Sequence, residues 1–233
     1  MALQDDLKKE ITTIFKSNWS KRDGRIVPDP TDLQLGNDAV EFAQATVLYA
    51  DLSGSTALVD AEDWTFAAEV YKTYLHCAAK LIRAEGGTIT SYDGDRVMGI
   101  FVGDTQCTPA ARCALKINYA VQKIINPALK QQYSSKTYQL KQVVGIDTSS
   151  IRAARTGVRG GNDIVWVGRA ANYAAKLTEL NLDERSWITK EVYLKLASDA
   201  KVRASDNVSM WKAYNWTQNN NHSIYGSTWI WAV

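Results

Sequence analysis

Two repeat lengths alternate along this chain. Leu3, Leu7, Ile11 and Ile14 recur at three- and four-residue steps, which predicts an amphipathic helix over residues 4–17, packed on the domain or on a second subunit. Residues 18–40 show no period, and Gly24, Pro28, Pro30 and Gly36 mark them as an irregular linking arm. Phe42 to Leu52 is a near-continuous apolar run holding Thr46, Val47 and Tyr49, the composition of a central strand. From Asp63 to Arg83 the helical period returns through Trp64, Ala67, Tyr71, Tyr74, Leu75 and Ala78, and Gly86-Gly87 stops it.

Thr88–Tyr92 and Arg96–Val102 read as two strands joined by the turn Asp93-Gly94-Asp95. Thr108-Pro109 is a cap followed by a first-turn proline, opening a helix to about Tyr133 that is bent or broken at Pro127. Tyr138–Asp147 is a further strand, and Ile151–Val167, interrupted by Gly157 and Gly160-Gly161, a hairpin. Arg169–Leu180 reads as helix, Trp187–Ile188 as a short strand, and Thr189 as the cap of a helix through Leu196. Strands over Val208–Tyr214 and Ile224–Trp231, around Asn219-Asn220-Asn221, end the chain. The order strand, helix, hairpin, helix, strand is the βαββαβ arrangement of a ferredoxin-like core, in the α+β class. The expected organisation is an N-terminal helix and arm over 1–40 and one domain over 41–233 that ends in a C-terminal β extension.

Composition narrows the function. A net charge of +2 gives no basic surface for nucleic acid, and no apolar run reaches the roughly 18 residues of a membrane span. The start Met1-Ala2-Leu3-Gln4-Asp5-Asp6 lacks the basic and apolar blocks of a secretion signal. Cys77, Cys107 and Cys113 are an odd number without metal-ligand spacing, so reduced thiols and a cytoplasmic location are expected.

The chemistry concentrates in two carboxylates. Asp51 ends the first strand, directly before the small turn Ser53-Gly54-Ser55-Thr56, and Asp95 closes the hairpin turn. Were the two strands adjacent, both acids would face one point, where their repulsion calls for a cation. Hard oxygen ligands select Mg²⁺ or Mn²⁺, and paired ions suit phosphoryl transfer. The backbone N–H groups of Gly54, Ser55 and Thr56, opening a helix, would meet phosphate oxygens. Taken alone, the same residues also read as a helix cap and an ordinary hairpin.

Three segments decide between these readings. Tyr49-Ala50-Asp51-Leu52-Ser53-Gly54-Ser55-Thr56, Gly94-Asp95-Arg96-Val97-Met98 and Val167-Gly168-Arg169-Ala170-Ala171-Asn172-Tyr173-Ala174-Ala175-Lys176 resemble, in order and spacing, the three motifs of class III nucleotidyl cyclases. The resemblance covers about residues 42–190. It implies a homodimer with sites at the subunit interface, and two Mn²⁺ or Mg²⁺ ions per site held by Asp51, Asp95 and the backbone carbonyl of Leu52. It further implies that Asn172 orients the ribose, with Lys176 standing where the family usually has an arginine that steadies transition-state charge. Lysine keeps the charge but not the bidentate fork.

Purine-specific members of that family read the base with a lysine and an aspartate; the corresponding positions here are Ser91 and Val165, with Asp163 two residues away. A site that loses such partners loses discrimination, so adenine is disfavoured. Tyr49 shares a strand face with Asp51, and Arg96 follows Asp95; an aromatic there shrinks the pocket, and arginine donates to the carbonyls of a pyrimidine. Tyr49 and Arg96 at these positions, the N-terminal helix and arm, and the Trp-rich C-terminal strands resemble the uridylate and cytidylate cyclases of the Pycsar anti-phage systems. That resemblance implies conversion of UTP to 3′,5′-cyclic UMP and diphosphate, with CTP as the alternative substrate and a degenerate nucleotide-binding homologue as a third reading. Arginine fits the two carbonyls of uracil better than the single carbonyl of cytosine. An RNA-binding module, the other use of βαββαβ, would need exposed aromatics on the central strands, where this chain has Asp51 and Asp95 among aliphatic residues.

Overall fold

The computed structural model describes residues 2–233 and contains no membrane-length apolar helix among them. Helix α1 (Leu3–Lys16) buries none of its residues, and Leu3, Leu7, Ile11 and Ile14 leave an apolar stripe open. The arm is more ordered than its glycines and prolines predict. Strand β1 (Ser20–Asp23) runs parallel to the start of β2 (Asp38–Ser53), and a 3₁₀ turn spans Pro30–Asp32. All four β1 residues are exposed, so no alternation of buried and exposed side chains marks the strand. Arg22 secures the arm by donating to Asp38 at 2.8 Å and to the Asp32 carbonyl at 2.6 Å. β2 therefore begins four residues before Phe42 and crosses the expected arm boundary at residue 40.

After α2 (Ser55–Ala61), helix α3 (Trp64–Ala84) starts at an Asp63 carboxylate that accepts the N–H groups of Thr65 and Phe66, both at 3.1 Å. Of the predicted stripe it buries Ala67, Tyr74 and Ala78 and half-buries Tyr71 and Leu75; Trp64 is exposed, and Phe66, Val70 and Ile82 complete the buried face. β3 (Thr88–Asp93) and β4 (Arg96–Phe101) form the expected hairpin. Helix α4 (Cys107–Tyr119) passes through a π-helical turn, Ala120–Ile125, into α5 (Asn126–Gln132). The helix is thus not broken at Pro127, because the widened turn just before the proline accommodates its missing N–H. Nor is Thr108 the cap: it lies in the first turn and its hydroxyl accepts the Ala197 N–H at 2.9 Å.

Strand β5 (Lys141–Val158) is a single 18-residue strand where the sequence predicts two. The polar Ser149-Ser150 step hides its continuity, yet Ser149 still pairs with Ala45 and the Thr148 hydroxyl donates to the Ala45 carbonyl at 3.1 Å. β6 (Gly161–Val167) turns back along β5, and α6 (Arg169–Leu177), β7 (Ser186–Thr189), α7 (Lys190–Leu194), α8 (Ser198–Lys201), β8 (Lys212–Trp216) and β9 (His222–Ser227) complete the chain. The last two strands are displaced from their predicted positions. Trp229 and Trp231 leave the sheet, because Asn118 bonds the Thr228 and Trp229 carbonyls and the Trp231 N–H reaches Leu115.

The sheet order β3-β4-β2-β5-β7-β9-β8 contains the ferredoxin-like core, with β2 flanked antiparallel by β4 and β5. Leu48, Ala50 and Leu52 face a core built with α3 and α4. Ala45, Val47 and Met98 face a second core closed by Ala170, Ala171 and Ala174 of α6. Strand alternation sends Tyr49 and Asp51 toward this second face.

Candidate active site

At the end of β2, Asp51 sits opposite Arg96 of β4, and the Leu52 N–H donates to the backbone carbonyl of Asp95 at 3.2 Å. That bond ties the strand end to the β3–β4 turn, where Gly94 adopts a left-handed φ of 60°. A cavity of about 460 Å³ opens here, lined by Asp51, Leu52, the Ser53–Thr56 turn, Asp93–Arg96 and Thr178. The structure therefore brings Asp51, Leu52, Gly54, Ser55, Thr56 and Asp95 together. Gly54 has φ 78° and ψ 26°, a conformation that lets the chain turn at once into α2.

Burial, and then the neighbouring Asp95 charge, push the Asp51 carboxyl up to about 6. A half-buried acid raised by a second acid is a site that gains from a cation. The donor set consists of oxygen ligands only, and among the described residues no group of three or more His, Cys, Asp or Glu forms a cage. Two carboxylates and a backbone carbonyl fit a hard ion that keeps water or substrate oxygens as its remaining ligands, as Mg²⁺ and Mn²⁺ do. From the other side of the sheet, the buried Tyr74 hydroxyl donates to the Asp51 carbonyl at 3.1 Å and fixes the strand behind the acid. The Tyr74 contact was not legible in the sequence, where Tyr74 reads only as one more position of an apolar helix face.

A second cavity of about 270 Å³ lies on the same sheet face. Its lining includes Tyr49, Ser91, Met98, Val165, Trp166 and Asn172. Both positions where purine readers would stand, Ser91 and Val165, are thus at one pocket with the aromatic Tyr49. Burial pushes the Tyr49 hydroxyl up, so it stays protonated at neutral pH. Asp163 does not replace Val165: β6 holds an unbroken register with β5, and the Asp163 carboxylate accepts the Ile164 N–H at 2.7 Å. Arg96 stands between the cavities. It lines the first, lies 5.6 Å from the Tyr49 ring centre, and donates to Asp93 at 2.6 and 3.2 Å.

Asn172 and Lys176 are exposed one turn apart on α6, and Lys176 lines neither cavity. What aims this helix is a buried ion network. Arg169, its first residue, donates to both oxygens of the fully buried Asp147 at 3.0 and 3.2 Å, to the Thr148 carbonyl at 2.9 Å and to Glu191 at 2.9 Å. Thr189 is the N-cap residue of α7, as expected, but its hydroxyl donates to Asp147 at 2.5 Å and not to a capping bond. Glu191 in turn contacts the His222 ring nitrogen at 2.9 Å, joining α6 to β9. At its other end, α6 meets the first cavity through Thr178.

Comparison with known proteins places this geometry. The chain is 50% identical to the uridylate cyclase of Xanthomonas perforans and 51% identical to that of Burkholderia cepacia, each over the full length of both proteins. It is 35% identical to the uridylate cyclase of a Rhodovulum species, covering 98% of this chain and 97% of that one. Among solved structures, the adenylyl cyclase CyaB from P. aeruginosa superposes with a TM-score of 0.61 at 23% identity, over 81% of this chain and 95% of that one. The guanylyl cyclase Cya2 gives 0.67 at 17% identity, over 81% and 93%. No protein-family model matches the chain.

Proposed function

This chain belongs to the uridylate cyclase family, within the class III nucleotidyl cyclase fold, and we propose that it converts UTP to 3′,5′-cyclic UMP and diphosphate. The observation that carries the choice of base is the second cavity, where Tyr49, Ser91 and Val165 meet without a charged purine reader. The 3′-hydroxyl oxygen attacks the α-phosphorus in line, the bond to the departing diphosphate breaks, and the hydroxyl proton passes to solvent. Asp51, Asp95 and the Leu52 carbonyl would hold two divalent ions, Mn²⁺ or Mg²⁺, which when bound would supply charge neutralisation and polarisation of the attacking hydroxyl.

The chain's own residues do the positioning. Gly54, Ser55 and Thr56 offer N–H groups to the phosphates beside the two acids. Tyr49 closes the pocket against a purine and stacks on the smaller base, while Arg96, released from Asp93, donates to a base carbonyl. Asn172 orients the ribose and Lys176 places a charge near the transferring phosphate. Both are exposed on this chain, which supports a homodimer in which one subunit's α6 serves its partner's acids. A product that works as a second messenger in anti-phage defence, inside the cytoplasm, completes the reading. CTP is the second reading, since Arg96 also meets the one carbonyl of cytosine.

The test is to incubate the protein with UTP and Mn²⁺ and identify the product by mass. Cyclic UMP from the wild type and at least a hundredfold less from Asp51→Asn and Asp95→Asn, both still folded, is the expected result. Wild-type rates in either variant would remove the acids from the reaction.

A further inference from the structure

The second cavity holds a polar group that the reading above leaves unused. Among the described residues, nine buried side-chain nitrogen or oxygen atoms have no hydrogen-bond partner, and Trp166, whose indole Nε1 is one of them, is the one such residue that lines this cavity. A buried donor left unpaired carries a desolvation penalty, and a partner that arrives with a ligand removes it. An indole nitrogen can only donate. Its partner must therefore be an acceptor, such as the carbonyl oxygen of a base.

The surroundings of Trp166 are built rather than incidental. Phe42 holds the ring at a centroid distance of 6.0 Å, and the paired β5–β6 ladder places Trp166 opposite the buried Ala153. Across the cavity, the β3–β4 register shifts between Ile89 and Ser91, so Thr90 is an extra residue. A bulge of this kind re-aims the next side chain, here Ser91, which lines the same cavity. The Thr90 hydroxyl is itself buried without a partner.

We propose that Trp166 is a specificity-determining residue whose indole N–H donates to a carbonyl of the substrate's pyrimidine. The assignment rests on the pyrimidine-cyclase reading of this site. It makes Trp166 a partner of Tyr49: the phenol limits the size of the base, and the indole demands an acceptor on it. Uracil offers acceptors at both O2 and O4, whereas the 4-position of cytosine carries a donor amino group that meets the indole badly.

The experiment measures kcat/KM for UTP, 2-thio-UTP and 4-thio-UTP with Mn²⁺, in the wild type and in W166F. Sulfur is the weaker acceptor, so the wild type should lose about tenfold on the one analogue altered at the contacted position, the scale of a single neutral hydrogen bond. W166F should lose about tenfold on UTP and show no further loss on that analogue. This coupling is one that a packing role cannot produce. Equal thio penalties in both proteins, with UTP turnover intact, would overturn the Trp166 assignment while leaving the cyclase reading standing. Absence of pyrimidine turnover in the wild type would overturn both. Should W166F fail to fold, the wild type's assigned Trp166 indole proton resonance decides: a downfield move on adding cyclic UMP supports the contact, and no change refutes it.

Discussion

At the scale of single residues, the site turns on the environment of Asp51. Its carboxyl is raised to about 6 against an ordinary 3.8, so in the folded, metal-free protein it holds a proton that the unfolded chain has already released. Between those two values the folded state binds more protons, and this acid's contribution to stability falls as pH rises. Asp51→Asn removes that penalty. Without metal at pH 7 the variant should melt about 2–4 °C above the wild type, the shift for about 1 kcal/mol in a chain of this size, and the difference should vanish at pH 4. Thermal melts at both values check it; a variant less stable at pH 7 would mean that the acid is already compensated. The two acids and their turn were legible in the sequence because glycine and aspartate announce turns. The Tyr74 bond and the Trp166 orphan were not, since each depends on contacts across the sheet that no local spacing encodes.

At the scale of elements, helix α6 matters more than its nine residues suggest, for it carries Asn172 and Lys176. Its direction is set where Arg169 meets Asp147, a carboxylate with no solvent exposure. Removing one partner of a buried pair strands the other charge, at a cost of roughly 3–5 kcal/mol. Arg169→Ala should therefore lower the urea midpoint strongly, and Arg169→Lys should recover only part, lacking the two-pronged geometry. A variant with an unchanged midpoint would show that the network does not hold the helix. The same elements show how far local patterns reach. Helix α3 and the β3–β4 hairpin follow from periodicity and capping, as does the βαββαβ order. By contrast, β1 has no buried face to leave a signal, β5 runs through two serines because its neighbours pair with it regardless, and the C-terminal tryptophans follow Asn118 instead of their own β-propensity.

At the scale of the whole molecule, the proposed function makes one chain the carrier of two half-sites: Asp51, Asp95 and the Ser53–Thr56 turn line one cavity, and Tyr49 and Asn172 line the other. In the proposed homodimer, the open apolar stripe of α1 and the exposed Val158, Val165 and Val167 of the β5–β6 hairpin are candidate surfaces for a second copy. If the subunits share sites, mixing Asp51→Asn protein with Asn172→Ala protein should restore about a quarter of wild-type activity, because half of the dimers are hybrids with one intact site each. Mixtures as inactive as their components would place both half-sites within one subunit's reaction. The central claim, a cyclase whose pocket excludes purines, is met most directly by incubating wild type and Tyr49→Ala with UTP, CTP, ATP and GTP in turn, with Mn²⁺, and following diphosphate release. The account predicts release from UTP, little from ATP or GTP, and a relaxed choice in Tyr49→Ala. Turnover of ATP or GTP by the wild type at the rate of UTP would contradict it.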